Sequence, residues 1–190
     1  NIYYAKTVYG KKEIDAVIKC LEESTQMGNY SRKFETKIAK LFEKKEALYL
    51  NSGSSALYVG IESFNFPKGG EVITPALTFG TTIGCLIKND LIPVFVDVEK
   101  LTYCIDTALI EEQINSKTVA ILAPNLMGNI CDWEKIRYLA DKYNLLVIED
   151  SADTLGAKLN SKNTGFYSDM SITSFYGSHI INCAGNGGMV

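Results

Sequence analysis

The stretch TVAILAPNLMGNICDWEKIRYLADKYNLLVIED, residues 118–150, has the pattern of a strand, a helix and a second strand. Residues 118–125 and 145–150 are short apolar runs, and the segment 133–144 between them has apolar residues at helical spacing. Near-continuous apolar strands such as VAIL and LLVI are typical of a parallel sheet that is covered on both faces. The stretch therefore predicts a βαβ unit.

The same alternation continues on both sides of this stretch. Strands are predicted at residues 47–50, 71–76, 93–98 and 168–176, and helices at Lys11–Ser24, Ser31–Phe42, 56–64, 81–90 and 108–115. Because short strands that alternate with helices favour a mostly parallel sheet, we predict an α/β fold for the whole chain. The sequence has no linker, low-complexity tract or internal repeat that would divide it.

Composition excludes several classes of protein. The 190 residues are 46% hydrophobic and 22% charged, which is ordinary for one globular domain. The net charge of −3, without a basic cluster, argues against nucleic acid or an acidic membrane surface as a partner. No apolar run reaches the length of a bilayer span, and the first residues show no secretory signal.

The cysteines and the single histidine argue against a metal site. Five cysteines at wide spacing, without a CxxC pair, are typical of reduced thiols in a cytoplasmic protein. A histidine-rich site is excluded within this sequence, because His179 is its only histidine.

Both ends of the chain look cut. The sequence starts without Met, and residues 187–190 have the pattern of a strand that is just beginning. We therefore expect an N-terminal fragment of a longer protein.

Ligands of parallel α/β sheets bind at the carboxyl ends of the strands. This rule nominates five loops: 51–55, 75–79, 124–129, 149–153 and 174–179. In the first of them, NSGSS leads from a strand into a helix, and exposed backbone N–H groups there would suit a phosphate. An ordinary N-cap explains the same residues, and by itself it is the better explanation.

Four further side chains in these loops each have a functional and a structural interpretation. Asp150 ends a buried strand, where it would be the counter-ion of a protonated heterocycle, a helix cap or half of a salt bridge. Phe79 would stack on a planar ring or belong to the core. Asp153 would contact a cofactor or begin a helix, and Ser174 would bind phosphate or be an ordinary strand hydroxyl.

His179 has a similar pair of interpretations. A lone histidine is usually structural or on the surface, yet imidazole is also suited to proton transfer near neutral pH. A Ser-His-Asp hydrolase is disfavoured, since the GxSxG motif is absent.

Taken together, the motifs resemble a known family. The segments NSGSSALYVGI, GGEVITPALTF, PVFVDV, LAPNLMGN, VIEDSADTLGA and SFYGSHIINCAGNGGMV are similar in order and spacing to the DegT/StrS family of sugar-nucleotide aminotransferases. These are fold type I enzymes that use vitamin B6. The resemblance covers essentially the whole chain. It implies the three-layer large domain of a type I aminotransferase, incomplete here, with residues 1–190 as its N-terminal part and a C-terminal small domain outside this chain.

The resemblance also implies roles for the loop residues. Ser54, Ser55 and Ser174 would bind the phosphate of pyridoxal 5′-phosphate (PLP) or pyridoxamine 5′-phosphate (PMP). Phe79 would stack on the pyridine ring. Asp150 would pair with the pyridine nitrogen.

Most members of the family have a lysine in an SF-x-x-x-K pattern, where it holds the cofactor as a Schiff base. His179 occupies that position, and no lysine follows Lys162. This is similar to the branch of 3-dehydratases that act on 4-keto-6-deoxy sugars, which also have an aspartate at the position of Asp153. The chain departs from the family in having GNGG for the commoner GEGG and one extra residue after His179.

The resemblance therefore implies PMP-dependent dehydration at C3 of a nucleotide-linked 4-keto-6-deoxy sugar, in the biosynthesis of deoxysugars for surface polysaccharide. His179 would be the general base on the C4′ hydrogen, with Asp150 keeping the ring protonated. The alternatives are a sugar-nucleotide aminotransferase with another proton shuttle, and a non-catalytic homologue that binds a nucleotide sugar or a partner subunit.

The expected partners follow from the same resemblance. They are a nucleotide-sugar substrate and a second copy of the chain, in a homodimer with a shared active site. The nucleotide, the sugar and any reductase partner are left open. An iron–sulfur cluster is also left open, since the four closely spaced cysteines that would indicate one would follow Val190.

Overall fold

The computed structural model describes residues 2, 6, 8–23 and 26–190. The helices are α1 (Lys11–Glu23), α2 (Asn29–Leu41), α3 (Gly53–Ser63), α4 (Gly80–Lys88), α5 (Ile110–Gln113) and α6 (Trp133–Tyr143). The strands are β1 (Tyr49–Leu50), β2 (Glu71–Pro75), β3 (Ile92–Val96), β4 (Thr118–Pro124), β5 (Leu146–Asp150), β6 (Lys158–Leu159), β7 (Lys162–Asn163), β8 (Met170–Ser174) and β9 (Gly188–Met189).

Seven of these strands form one sheet in the order β1-β9-β8-β5-β4-β2-β3. The pairs from β3 to β8 are all parallel, whereas β9 runs antiparallel to both β8 and β1. The prediction of a mostly parallel central sheet is confirmed.

Helices cover both faces of the sheet, so the fold has three layers as the resemblance implied. Along β5 the side chains alternate between the faces: Val147 belongs to one core cluster and Ile148 to the other. The first cluster is completed by α6, whose Trp133, Ile136 and Leu139 are fully buried. The second cluster is completed by α3 and α4.

The βαβ stretch folds as its local pattern predicts. Helix α6 begins where the side chain of Asp132 accepts the backbone N–H of Lys135, at 3.0 Å. It ends at Asn144, which has a left-handed conformation with φ of 55°. The chain then enters β5, which therefore lies directly beside β4.

Several predicted boundaries were wrong. Helix α3 begins three residues before the predicted start at 56, because the side chain of Ser52 caps it. Helix α5 has only four residues, fewer than the predicted 108–115, since residues 106–109 form a turn before it and the chain is already extended at Ile114, where ψ is 128°. The first strand keeps only two residues of the predicted 47–50. The strand expected in 187–190 is present as β9.

The hairpin of β6 and β7 was not predicted, since residues 158–163 lack apolar alternation. Ser24, the predicted last residue of the first helix, lies outside the described residues. The apolar face of α1 forms as predicted. However, no other described residue buries its side chains, which are Ile14, Val17, Ile18 and Leu21. Over the described ranges, no helix is both long and apolar enough to cross a membrane.

Candidate active site

A cleft of about 730 Å³ opens at the carboxyl ends of the parallel strands. All five nominated loops contribute to it. Its lining residues are Ser52, Gly53, Ser54, Leu57, Leu77, Thr78, Phe79, Thr81, Pro124, Asn125, Leu126, Asp150, Ala152, Asp153, Ile172, Ser174, Tyr176, Ser178, His179, Asn186 and Gly187. Six of the seven predicted site residues are therefore brought together in one place.

The first turn of α3 forms one end of the cleft. Gly53 fixes its distance from β8, since a Cβ on this glycine would lie 2.7 Å from the Cβ of Ser174. Ser54 and Ser174 can both face the cleft only because the two backbones approach so closely. A helix N-terminus with two hydroxyls beside it is a suitable site for a phosphate.

Ser55 is the predicted site residue that does not line the cleft. Its backbone N–H donates to the hydroxyl oxygen of Ser52 at 3.1 Å, and its own hydroxyl accepts from Ser52 at 3.0 Å. These contacts are those of the N-cap, the structural interpretation of the NSGSS motif. A direct role of Ser55 in phosphate binding stays a prediction.

We expect Gly53→Ala to destabilise the intact protein by about 1–3 kcal/mol, since the added methyl group forces α3 away from β8. The measurement is the free energy of unfolding in denaturant. Gly84→Ala is the matched control: this glycine lies exposed on α4 with no atom within 4 Å of an added Cβ. Alanine there should stabilise the helix by about 0.5–1 kcal/mol. Equal effects of the two substitutions would contradict the close approach.

Asp150 lies at the floor of the cleft and is 7% exposed. One carboxylate oxygen accepts the backbone N–H of Ala152 at 3.1 Å, and the other accepts the hydroxyl of Thr82 at 3.4 Å. Burial raises the pKa of Asp150 to about 6, and the nearby negative charge of Asp153 acts in the same direction. A positive group in the cleft would relieve this cost.

Phe79 presents its ring to the cleft. It precedes α4, is 69% exposed, and therefore does not belong to the core. An exposed aromatic face above a buried carboxylate suits a planar cationic ring.

His179 also lines the cleft and is contacted from two directions. Its Nδ1 lies 3.2 Å from the carbonyl oxygen of Ser174. Its Nε2 lies 3.8 Å from a carboxylate oxygen of Asp153, whose other oxygen accepts the backbone N–H of Met127 at 3.0 Å. No helix begins at Asp153, so the structural interpretation of that residue does not hold.

The hydrogen bond to Ser174 selects one form of the imidazole. A carbonyl oxygen only accepts, so Nδ1 carries the proton, and in the neutral ring Nε2 has the free lone pair. His179 is thus arranged to take up a proton at Nε2, and the resulting cation would face the Asp153 carboxylate.

The charged groups on the cleft wall are Asp150 and Asp153, with His179 when it is protonated. Neither lysine nor arginine occurs among the described residues that line it. Nor do the described residues contain a group of three or more His, Cys, Asp or Glu side chains that could hold a metal ion.

The chain is similar in sequence to a family of known proteins. Residues 8–190 match the sequence profile of the DegT/DnrJ/EryC1/StrS aminotransferase family. The chain belongs to this family. The resemblance inferred from its motifs is confirmed.

Individual members of the family are similar over nearly the whole chain. The lipopolysaccharide biosynthesis protein RfbH of Salmonella typhimurium is 38% identical, over 96% of this chain and 44% of that protein. The structure of Escherichia coli GDP-4-keto-6-deoxy-D-mannose-3-dehydratase with bound hydrated PLP superposes with a TM-score of 0.94 at 31% identity, over all of this chain and 51% of that one. An aminotransferase from Psychrobacter cryohalolentis has a TM-score of 0.91 at 32% identity, over 97% of this chain and 48% of that one.

The chain therefore spans about half the length of these relatives. The DegT/DnrJ/EryC1/StrS proteins that superpose on it include both a dehydratase and an aminotransferase, so membership of the family does not distinguish the two activities.

Sequence reasoning missed some residues of the cleft. Asn125, Tyr176 and Asn186 line it, yet none was singled out. Asn125 is the last residue of the predicted strand 118–125 and lies within a nominated loop, so its position was the available signal. Tyr176 packs edge-on against His179 with the ring centres 5.9 Å apart, a contact that no sequence pattern indicates.

Proposed function

We propose that the intact protein catalyses PMP-dependent dehydration at C3 of a nucleotide-linked 4-keto-6-deoxy sugar. The observation that carries the proposal is the position of His179. It lies in the cleft where the family resemblance places a lysine, and it faces Asp153 at 3.8 Å. The described residues offer no cleft amine that could bind a cofactor covalently.

The cleft fits a vitamin B6 cofactor. Asp150 is buried at a cost that a protonated pyridine nitrogen would offset, Phe79 offers a free ring face, and Ser54 and Ser174 stand where a phosphate would lie. When bound, such a cofactor supplies an electron sink for the bonds broken at the sugar. The relative with a TM-score of 0.94 was solved with hydrated PLP, which supports the same assignment.

The residues of the chain would perform the proton transfers. His179 acts as the general base at Nε2, with Nδ1 fixed by the Ser174 carbonyl. Asp153 stabilises the imidazolium that results, so the proton stays available for the departing C3 hydroxyl. Asp150 keeps the pyridine nitrogen protonated throughout, since its carboxylate lies in a site from which water is largely excluded.

Two other functions compete with dehydration. A sugar-nucleotide aminotransferase would use the same cleft with a different proton shuttle, and a relative at a TM-score of 0.91 is named as an aminotransferase. A non-catalytic homologue would bind a nucleotide sugar without chemistry.

Product analysis of the intact protein with PMP and GDP-4-keto-6-deoxymannose separates the three functions. Dehydration would give a sugar that lacks the C3 oxygen and keeps the C4 ketone, with PMP consumed as the two-electron reductant and recovered as PLP and ammonia. Transamination would give a C4 amine, keep the C3 hydroxyl and also convert PMP to PLP. A non-catalytic homologue leaves the sugar unchanged with every nucleotide tested, and that result, or an exclusive C4 amine, would refute the proposal. Since the nucleotide is not known, the assay should be repeated with the CDP- and dTDP-linked sugars.

We also propose a homodimer in which a second copy completes the site. A cofactor phosphate and a nucleotide diphosphate need positive charge, and the described residues of the cleft wall provide no lysine or arginine. Two apolar side chains of the cleft lining, Leu77 and Phe79, are 47% and 69% exposed and would be covered by a partner. We expect the intact protein to sediment as a dimer, and a fully active monomer would contradict this proposal.

The cellular setting is proposed from the sequence. No disulfide joins the five cysteines, which all lie in the described part of the chain, in keeping with a cytoplasmic protein of polysaccharide biosynthesis. Both a reductase partner and an iron–sulfur cluster stay open.

A further inference from the structure

A buried polar network lies directly behind the candidate site. Glu149 precedes Asp150 on β5, so its side chain leaves the strand on the opposite face of the sheet, where it is fully buried. One carboxylate oxygen accepts the hydroxyl of Ser151 at 2.6 Å and the side-chain amide of Asn125 at 3.0 Å. The other accepts the backbone N–H of Gly165 at 2.8 Å.

The surroundings of Glu149 offset only part of the effect of burial, so that the pKa of this carboxyl is raised overall. Burial raises the pKa of this carboxyl, while the hydrogen bonds from Ser151 and Gly165 and the positive charge of Lys44 lower it. The Lys44 ammonium donates to the backbone carbonyls of Gly165, at 2.7 Å, and Ser168. The carboxyl group of Glu149 is therefore surrounded by hydrogen-bond donors. One of these donors, Gly165, belongs to a turn whose backbone carbonyls accept hydrogen bonds from Lys44.

Asn125 connects this carboxylate to the loop that follows β4. Besides Glu149, its side-chain amide donates to the hydroxyl oxygen of Ser151 at 3.0 Å. Its side-chain oxygen accepts the backbone N–H of Cys131 at 3.0 Å and the indole N–H of Trp133 at 2.9 Å. One asparagine thus joins the loop after β4 to the loop after β5.

These two loops carry the donors that orient the aspartates of the cleft. The backbone N–H of Ala152, in the loop after β5, donates to Asp150 at 3.1 Å. The backbone N–H of Met127, in the loop after β4, donates to Asp153 at 3.0 Å. A shift of either loop would therefore move a carboxylate that faces the cleft.

We infer that Glu149, acting through Asn125 and Ser151, is a positioning residue of the active site. Glu149 does not line the cleft itself and reaches it only through Asn125, which does. Its two oxygens hold the loops after β4 and β5 together, and the loops in turn fix the direction of the Asp150 and Asp153 carboxylates. The inference rests on the proposed function only in treating these two aspartates as the reacting groups.

Hydrogen exchange of the intact, cofactor-free protein tests the inference without reference to activity. In Glu149→Gln one oxygen is replaced by an amide nitrogen, so at least one of the three donors loses its acceptor. We expect residues 125–129 and 151–154 to exchange at least about tenfold faster than in the wild type. Ser151→Ala removes one donor to Glu149 and one acceptor of Asn125 but leaves the contacts of Glu149 with Asn125 and Gly165 in place, so it should produce a smaller increase in the same two segments.

The matched control is Val147→Ala. Val147 is fully buried on the same strand and face, two residues away, but its apolar side chain takes no part in this hydrogen-bond network. Its substitution should destabilise the protein without selective exchange in the two loops. If Glu149→Gln and Val147→Ala give the same exchange pattern, Glu149 is merely structural and the inference is overturned. The same conclusion follows if Glu149→Gln folds and neither loop changes.

A second arm measures PMP binding to the same variants. We expect Glu149→Gln to weaken the affinity for PMP by about tenfold or more, as is usual for residues that orient a site from behind, and Val147→Ala to leave it nearly unchanged. Failure of the wild type to bind PMP would count against the proposed function, whereas the exchange data would still decide the positioning role.

Discussion

Replacing His179 with asparagine is expected to lower the rate of dehydration by about 10²–10⁴-fold, the usual contribution of a general base. Asparagine can still donate to the carbonyl of Ser174, so the local backbone should be preserved. It cannot accept a proton near neutral pH, which removes the function of Nε2. Single-turnover assays with PMP and the keto sugar measure the loss, and binding of PMP should be unchanged.

The matched substitution is His179→Lys, which restores the residue type of most family members. The wild type should resist reductive trapping by borohydride in the presence of PLP, since the described part of the cleft contains no lysine. The lysine variant should be trapped as a covalent adduct, and its activity should move from dehydration toward transamination. Unchanged dehydration by His179→Asn would show that His179 only bonds a loop carbonyl.

Asp150→Asn is expected to lower turnover by roughly 10²–10³-fold, the cost of losing one preorganised electrostatic group. A neutral amide cannot keep the pyridine nitrogen protonated, so the electron sink is weakened. The side chain fits the same space, and its oxygen can still accept the N–H of Ala152. The loss should therefore appear in turnover while the fold is intact.

The same substitution should stabilise the cofactor-free protein above pH 6. The pKa of Asp150 is raised from 3.8 to about 6 in the folded state. Below about pH 3 the residue is largely protonated whether the chain is folded or not, and no penalty arises. As pH rises through this window the unfolded state loses its proton first, so wild-type stability falls, by up to about 3 kcal/mol at pH 8.

Denaturant unfolding of both proteins at pH 3 and pH 8 measures this difference. The gain of Asp150→Asn should be near zero at pH 3 and largest at pH 8. Asp97→Asn is the control, because Asp97 also follows a strand but is exposed and lies outside the cleft. An Asp150→Asn protein with wild-type turnover and no gain in stability at pH 8 would mean that Asp150 is an ordinary structural carboxylate.

The sequence predicted the fold from local patterns. Apolar runs in 118–125 and 145–150, separated by a helix, indicated parallel strands that are buried on both faces, and β4 and β5 are such a pair. The ends of those strands indicated where the site would lie, because a parallel sheet places them on one edge. Motif spacing then predicted that His179 stands in the position of the family's lysine.

The local patterns did not decide which contacts a given side chain makes or where a helix ends. Ser55 was assigned to the phosphate by motif, yet its hydrogen bonds belong to the N-cap of α3, since Ser52 lies one helical turn before it. Helix α5 is shorter than its apolar spacing indicated, because spacing does not show where the chain becomes extended, here at Ile114.

The sequence by itself determined the class of fold, the five loops and the identity of the candidate base. Only the tertiary structure decided that Gly53 touches Ser174, that Asp153 faces His179, and that Glu149 holds two loops from behind the sheet. Secondary structure follows from the periodicity of neighbouring residues. These contacts instead join separate segments, in one case more than a hundred residues apart, and they form only once the sheet has brought the segments together.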